Sequence, residues 1–141
     1  DKVANCSAEV VRTYIDRWTE GDFDTVPLDE SIATYYKRRT PKDGVFDFTK
    51  SAKELHDFIR AQTDPYPGAF FWLKGEKITV LSSRPTEVSS EKKPGTVLGT
   101  TREGGIRVVC GDGKALDLLR CRLEDGSRIW MAEDPRFTGI L

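Results

Sequence analysis

The stretch YYKRR at residues 35–39 gathers side chains suited to binding a charged, planar ligand. Tyr35 and Tyr36 can stack on an aromatic base, while Arg38 and Arg39 offer donors that fit phosphate or carboxylate oxygens. The plainer interpretation is an extended arm whose cations pair with neighbouring carboxylates. The predicted strands carry a second basic set, Arg120, Arg122 and Arg128. Arg120 and Arg122 share a face of their strand and can form a local patch.

The rest of the chain offers little catalytic machinery. It contains one histidine, His56, and one asparagine, Asn5, far apart in the sequence. Glu54 and Asp57 are the only potential metal ligands next to His56 in the sequence. We therefore expect a structural or solvent-edge role for His56 and no metal site. The motifs of serine hydrolases, P-loop enzymes, zinc proteases and dinucleotide-binding domains are absent.

Length and composition indicate one domain with a modest core. The chain has 141 residues, 38% of them hydrophobic and 32% charged. A net charge of −1 favours neither nucleic acid nor an anionic membrane as partner. The chain begins at Asp1 without a methionine, which favours a fragment of a longer protein. Three cysteines without CxxC spacing are typical of free, partly buried thiols in a cytoplasmic protein.

Two helices are predicted in the first half of the chain. The first covers residues 7–20, with Ser7 as its cap, Gly21 after its end, and an apolar stripe containing Trp18 that we expect in the core. The second covers residues 51–62 and has the Ser51–Glu54 spacing of a capping box. Between them an extended arm runs over residues 32–48, with a turn signal at Asp43-Gly44.

The sequence PYPG at residues 65–68 predicts a structural turn after the second helix. Pro65 ends the helix because it lacks the amide proton that the next helical turn needs. Pro67 holds Tyr66 extended, and Gly68 is expected to adopt a positive φ or to lie close to another backbone segment. The chain can then enter the first strand.

Short strands separated by glycine-containing turns are predicted from residue 69 onward. They cover residues 69–73, 77–83, 96–100, 105–110, 114–123 and 127–131. Asp-Gly pairs at 112–113 and 125–126 are strong hairpin signals, since both central residues of such turns need φ > 0. The pattern indicates an α+β fold dominated by β, a small antiparallel barrel or sandwich preceded by two helices and an extended arm.

Three motifs in order resemble the carboxy-terminal half of the folate-dependent formyltransferases, the superfamily of methionyl-tRNA formyltransferase and the sugar-nucleotide N-formyltransferases. They are SIATYYKRRTPKDGVFDF, LHDFIRAQTDPYPGAFF and KITVLSSR. The arm of the family ends in R-x-P-x-D, matched by Arg39, Pro41 and Asp43, and its P-x-PGA turn is matched from Pro65 to Ala69. The resemblance implies an OB-like barrel domain over residues 28–141, with residues 1–27 as an interdomain helix and linker.

The resemblance also implies that the chemistry resides elsewhere. The family carries 10-formyltetrahydrofolate, with a catalytic asparagine and histidine two positions apart, on an amino-terminal Rossmann-like domain. With one distant Asn and His, this chain is not expected to be catalytic alone or to bind a cofactor. We expect it to work with an amino-terminal domain of the same parent chain, and Tyr35, Tyr36, Arg38 and Arg39 are then the candidates for contact with substrate or with that domain.

Three functions remain open from the sequence. The low net charge and the Tyr-Arg arm favour the substrate side of an N-formyltransferase for an amino sugar nucleotide or a similar small amine. The alternatives are the tRNA-binding domain of methionyl-tRNA formyltransferase and a stand-alone OB-like binding or dimerisation module. Because a tRNA-binding surface needs many cations, nucleic acid is not the favoured partner.

Overall fold

The computed structural model describes residues 2–23 and 25–141. By its internal contacts the chain divides into two units, Asp1–Lys37 and Arg38–Leu141. The first unit contains helix α1, Lys2–Thr19, and a single 3-10 turn, Glu30–Ile32. None of the helices in the described part of the chain combines the length and the apolar character that crossing a membrane requires.

Two expectations for α1 are wrong. The helix starts at Lys2, so Ser7 lies inside it and does not cap it, because nothing between Lys2 and Ser7 breaks a helix. The apolar stripe is not core either: α1 has no buried residue, and Trp18 is 37% exposed. Among the described residues of this unit, 2–23 and 25–37, no second long element covers the stripe.

In the second unit, a short 3-10 turn and one α-helix precede the sheet. The turn covers Pro41–Gly44, at the position of the Asp43-Gly44 signal, and helix α2 covers Ala52–Gln62. The predicted capping box is present, since the Ser51 amide donates to Glu54 Oε2 at 3.0 Å and the Ser51 hydroxyl accepts from the Glu54 amide at 3.3 Å. The Ser51 hydroxyl also donates to Glu54 Oε2 at 2.6 Å, and this bond, together with that of the Ser51 amide, lowers the pKa of Glu54. The capping box fixes the start of α2.

Six antiparallel strands form one sheet in the order β1-β2-β5-β4-β3, with β6 pairing beside β5. Their bounds are β1 Ala69–Leu73, β2 Glu76–Ser89, β3 Val97–Thr100, β4 Ile106–Val109, β5 Lys114–Arg122 and β6 Arg128–Ile129. The long strands β2 and β5 pair along most of their length, interrupted by bulges. Two helices and six antiparallel strands confirm the strand-dominated α+β class, and the sheet is open and barrel-like.

An aromatic cluster anchors the end of the arm in the core. Phe46 and Phe48 are buried and contact Phe71 of β1, with ring centroids 5.7 and 5.4 Å from it. The Phe46 amide also donates to the carbonyl of Phe70 at 2.9 Å. Edge-to-face aromatic pairs add to the burial of apolar area, so this contact fixes the arm against the sheet.

All three cysteines are free thiols, as expected. Cys110 and Cys121 are buried, whereas Cys6 is exposed on α1. Burial raises the pKa of Cys110 to about 12 and raises that of Cys121 as well, because the thiolate loses its hydration. These two thiols therefore act as small core side chains.

Candidate functional site

A cavity of about 570 Å³ opens in the second unit, between residues 38–41 of the arm and the end of α2. One wall comes from the arm and the other from α2 and the turn that follows it. The lining residues are Arg38, Arg39, Thr40, Pro41, Ala61, Gln62, Tyr66 and Pro67. Two arginines predicted from sequence thus share one cavity with the Tyr66 turn.

The arm wall is held in shape by a short hydrogen-bonded turn. The carboxylate of Asp43 accepts the backbone amide and the hydroxyl of Thr40, the hydroxyl at 2.8 Å. These bonds, with a smaller contribution from the charge of Arg39, lower the pKa of Asp43. Pro41 stands at the first position of the 3-10 turn, where its fixed φ suits the backbone. The R-x-P-x-D spacing therefore builds a rigid support for Arg39.

Gly44 and Gly68 bring the two walls together. A Cβ atom at Gly44 would lie 2.6 Å from the backbone oxygen of Gly68 and 3.2 Å from Oε1 of Gln62. Gly68 itself has a φ of +96°, in agreement with the sequence expectation. Because neither position has room for a side chain, the arm and the PYPG turn make backbone contact beneath the cavity.

The charges of the cavity are unbalanced. Arg38 and Arg39 have no carboxylate within salt-bridge distance among residues 2–23 and 25–141, and the lining contains no acidic side chain. Guanidinium groups prefer planar, bidentate oxygen pairs such as those of phosphate and carboxylate. The cavity is therefore suited to an anionic group, with the 62% exposed ring of Tyr66 beside it.

Gln62 contributes a hydrogen-bond donor without an acceptor. Its side-chain nitrogen Nε2 is buried, and it is the single buried side-chain nitrogen or oxygen in the described part of the chain that makes no hydrogen bond. Buried polar atoms in folded proteins almost always have partners, because an unmade bond costs about 1–3 kcal/mol. Gln62 also belongs to the lining of the cavity, so this unpaired donor lies in the cavity wall.

The sequence model of one protein family, described as "Formyl transferase, C-terminal domain", matches residues 38–133. The chain belongs to this family. The matched range contains the whole lining of the cavity and all six strands.

Solved structures of HypX from Aquifex aeolicus share the fold of this formyltransferase domain. The HypX complex with tetrahydrofolic acid has a TM-score of 0.64 and 22% identity over 86% of this chain. Two HypX variants give TM-scores of 0.68 and 0.66, each over 92% of this chain, at 21% and 20% identity. The chain covers 21–23% of the HypX length, so it spans about a fifth of these relatives.

Tyr35 and Tyr36 belong to the other unit of the formyltransferase chain. They are 82% and 90% exposed, and the Tyr35 hydroxyl donates a hydrogen bond to the carboxylate of Glu30. This bond raises the pKa of Tyr35. Both rings are accessible to a partner. Among residues 2–23 and 25–141, no carboxylate forms a salt bridge with Arg38 or Arg39, in contrast to the interpretation of an arm whose cations pair with neighbouring acids.

His56 belongs to α2, and its side chain contacts β2 in the formyltransferase domain. Its Nδ1 is 3.0 Å from the hydroxyl of Ser83, and the ring is partly buried. The described residues contain no group of three or more His, Cys, Asp or Glu side chains placed to hold a metal ion. His56 thus connects helix and sheet at the edge of the solvent.

Sequence reasoning did not identify Gln62 as a site residue. It lies at the end of an amphipathic helix, where a polar side chain is usually solvated. The one signal was its place on the same face as Leu55 and Ile59, both buried. Tyr66 was predicted as part of a structural turn, and that turn also lines the cavity.

Proposed function

We propose that the chain is the substrate-side domain of a 10-formyltetrahydrofolate-dependent N-formyltransferase. Its acceptor would be an amino sugar nucleotide or a similar small amine, and the chain would not be catalytic alone. The cavity with Arg38, Arg39 and the donor of Gln62 carries the proposal. Membership of the formyltransferase C-terminal family supports the reaction class.

A nucleoside diphosphate matches the chemistry of this cavity. Its diphosphate offers oxygen atoms to two guanidinium groups, and Tyr66 offers a ring on which a base can stack. A cavity of about 570 Å³ falls within the range of small-molecule sites, roughly 300–1,000 Å³. The free amine of the acceptor would then extend from the cavity toward the folate-bearing domain.

The amino-terminal domain of the same parent chain is the proposed partner. We assign residues 1–27 as the interdomain helix and linker and residues 28–141 as the OB-like domain with its arm. The exposed apolar stripe of α1 supports this assignment, because such a stripe on a helix usually packs against another surface. Its members are Val10, Val11, Tyr14, Ile15 and Trp18.

The cofactor would be bound by the partner domain. A HypX structure contains tetrahydrofolic acid, and HypX is about four times as long as this chain, since 86% of the chain covers 21% of it. We place 10-formyltetrahydrofolate on the amino-terminal domain, with none on this chain, and we propose a cytoplasmic location for the whole enzyme.

Binding of nucleoside diphosphates to the chain tests the proposal. Thermal unfolding would be followed with uridine, thymidine and guanosine diphosphates, each compared with its nucleoside. A ligand at one hundred times its Kd should stabilise the fold by about 2.7 kcal/mol. The double variant Arg38→Gln/Arg39→Gln should lose this stabilisation, while Arg128→Gln, an exposed arginine outside the cavity, should keep it.

Two outcomes would overturn the proposal. Salt-sensitive binding of initiator tRNA without any response to nucleoside diphosphates would favour the tRNA enzyme. No response to either ligand, together with a parent gene that lacks an upstream Asn-x-His domain, would favour a stand-alone module. A nucleotide response that depends on Arg38 and Arg39 would support the small acceptor.

A further inference from the structure

A row of three charged side chains crosses the sheet, outside the cavity of Arg38 and Arg39. Arg84 of β2 lies opposite Asp117 of β5, and Asp117 lies opposite Arg107 of β4. Asp117 is fully buried and accepts bonds from Nε and Nη2 of Arg107 at 2.7 and 3.0 Å. Its carboxylate is also 3.5 Å from Nη2 of Arg84. The buried acid thus fixes the guanidinium of Arg107 and lies close to that of Arg84 on the same face.

The row ends in a second cavity of about 330 Å³. The residue opposite Arg107 on β3 is Gly99, and a Cβ placed there would have no atom within 4 Å. Strand β3 therefore places no side chain opposite Arg107. The lining consists of Arg84, Thr100, Thr101, Arg102, Glu103, Arg107 and Asp117.

The charges around this second cavity favour an anion. Three arginines face two carboxylates, and Asp117 is already neutralised by its paired bonds to Arg107. Glu103 accepts a bond from Arg84 at 3.1 Å, with both side chains about half exposed, at 50% and 52%. Arg102 is exposed and has no carboxylate partner in the part of the chain that the structure describes.

The contact between Arg84 and Glu103 is replaceable. Exposed ion pairs contribute about 0–1 kcal/mol, so loss of the pair itself costs little free energy. The pair of Arg107 with buried Asp117 is different, because leaving either charge unpaired in a buried site is costly. One guanidinium is therefore held rigidly, and a second is available to an anion that replaces Glu103.

We propose that the second cavity binds a phosphate group, free or as a monoester, through Arg84, Arg102 and the outer edge of Arg107. The hydroxyls of Thr100 and Thr101 offer further donors at the same rim. Glu103 competes with the ligand for Arg84 and so weakens binding. This site is separate from the nucleotide cavity, and the proposal does not depend on which amine is formylated.

Calorimetric titration with inorganic phosphate and with O-phosphoserine at low salt tests the site. The titrations use the Arg38→Gln/Arg39→Gln background, so that the first cavity cannot supply the signal. Glu103→Gln should tighten phosphate binding about fivefold to tenfold, because it removes a negative charge a few ångströms from the ligand. Arg102→Gln should weaken binding by a similar factor, and Lys92→Gln in an exposed loop should leave it unchanged.

The two key substitutions lie at exposed positions, so the thermal midpoints should stay within a few degrees of the parent value. Binding of phosphate alone, or of phosphate and O-phosphoserine, supports the site if the affinity is highest for Glu103→Gln and lowest for Arg102→Gln. Tighter binding of O-phosphoserine than of phosphate would identify the natural ligand as a phosphorylated molecule. The proposal is wrong if Glu103→Gln does not tighten phosphate binding, or if this variant binds no phosphate. The row of Arg84, Asp117 and Arg107 would then serve only to join the three strands.

Discussion

Replacing Gly68 by alanine tests the turn on which the first cavity depends. Two separate features of the structure oppose a side chain at this position. The backbone has a φ of +96°, a region that residues with a Cβ rarely adopt. An added Cβ would also lie 2.5 Å from the methyl carbon Cγ2 of Thr79, a buried residue of β2.

The two features can be given separate magnitudes. A left-handed backbone conformation destabilises a folded chain with alanine by about 1–2 kcal/mol. Alanine also lowers the entropy of the unfolded chain, which stabilises the fold by about 0.4–1 kcal/mol, so the net conformational cost is about 1 kcal/mol. The contact with Thr79 is about 1 Å shorter than an ordinary carbon–carbon distance of about 3.5 Å. Overpacking of this kind in a core costs about 1–3 kcal/mol. Gly68→Ala should therefore destabilise the fold by about 2–4 kcal/mol.

Urea unfolding with matched variants separates these contributions. Gly126 has a φ of +88° and no atom within 4 Å of an added Cβ, so Gly126→Ala should show the conformational cost alone, about 1 kcal/mol. In a Thr79→Ser background the interfering methyl group is absent. Gly68→Ala should then cost about 1 kcal/mol relative to that background, and the coupling between the two sites should be about 1–3 kcal/mol.

Equal costs for Gly68→Ala and Gly126→Ala would refute the steric part of this reasoning. A cost for Gly68→Ala well below about 1 kcal/mol would refute the conformational part as well. The m-value should stay constant across the series, because a change in m would show that the variants alter the surface exposed on unfolding.

Three further predictions concern buried groups. Asp117→Asn should lower the free energy of unfolding by about 2–4 kcal/mol, measured in urea, because a guanidinium then lacks its buried counter-charge. With Ellman's reagent at pH 8, Cys6 alone should react quickly in the folded chain, because burial suppresses the thiolates of Cys110 and Cys121, and all three should react in denaturant. Gln62→Leu should leave stability unchanged or higher, since it removes an unpaired buried donor, but should abolish the shift in thermal midpoint with nucleoside diphosphates.

Elements with strong local signals were predictable from the sequence. Strand β1 was predicted at its observed bounds, Ala69–Leu73. Helix α2 was predicted within one residue, because a capping box marks its start and a proline follows its end. Strand β2 was predicted to end at residue 83 but continues to Ser89, past Pro85. After residue 83 the sequence is polar and shows no alternation of apolar and polar residues that would predict a strand. Pairing with β5 as far as Lys114 maintains the strand in this segment.

The two cavities show where prediction from sequence stops. Arg38 and Arg39 were found because they are adjacent, and their spacing to Pro41 matches a known motif. The row of Arg84, Arg107 and Asp117 was not found, since its members meet only through the register of three strands. A strand register with bulges depends on tertiary pairing, so a one-residue difference would have moved these side chains to opposite faces.

The distribution of charge reconciles a net charge of −1 with the phosphate sites proposed above. Several carboxylates accept hydrogen bonds from residues two or three positions away, which lowers their pKa and holds them ionised in local turns: Asp29, Asp43, Asp47, Glu54 and Asp125. Both cavities are thereby left with an excess of arginine. At physiological salt the Debye length is about 8 Å, so a small ligand inside a cavity responds to the arginines around it. A tRNA, which spans much more of the surface, would meet both signs of charge, and this difference favours a small phosphorylated acceptor.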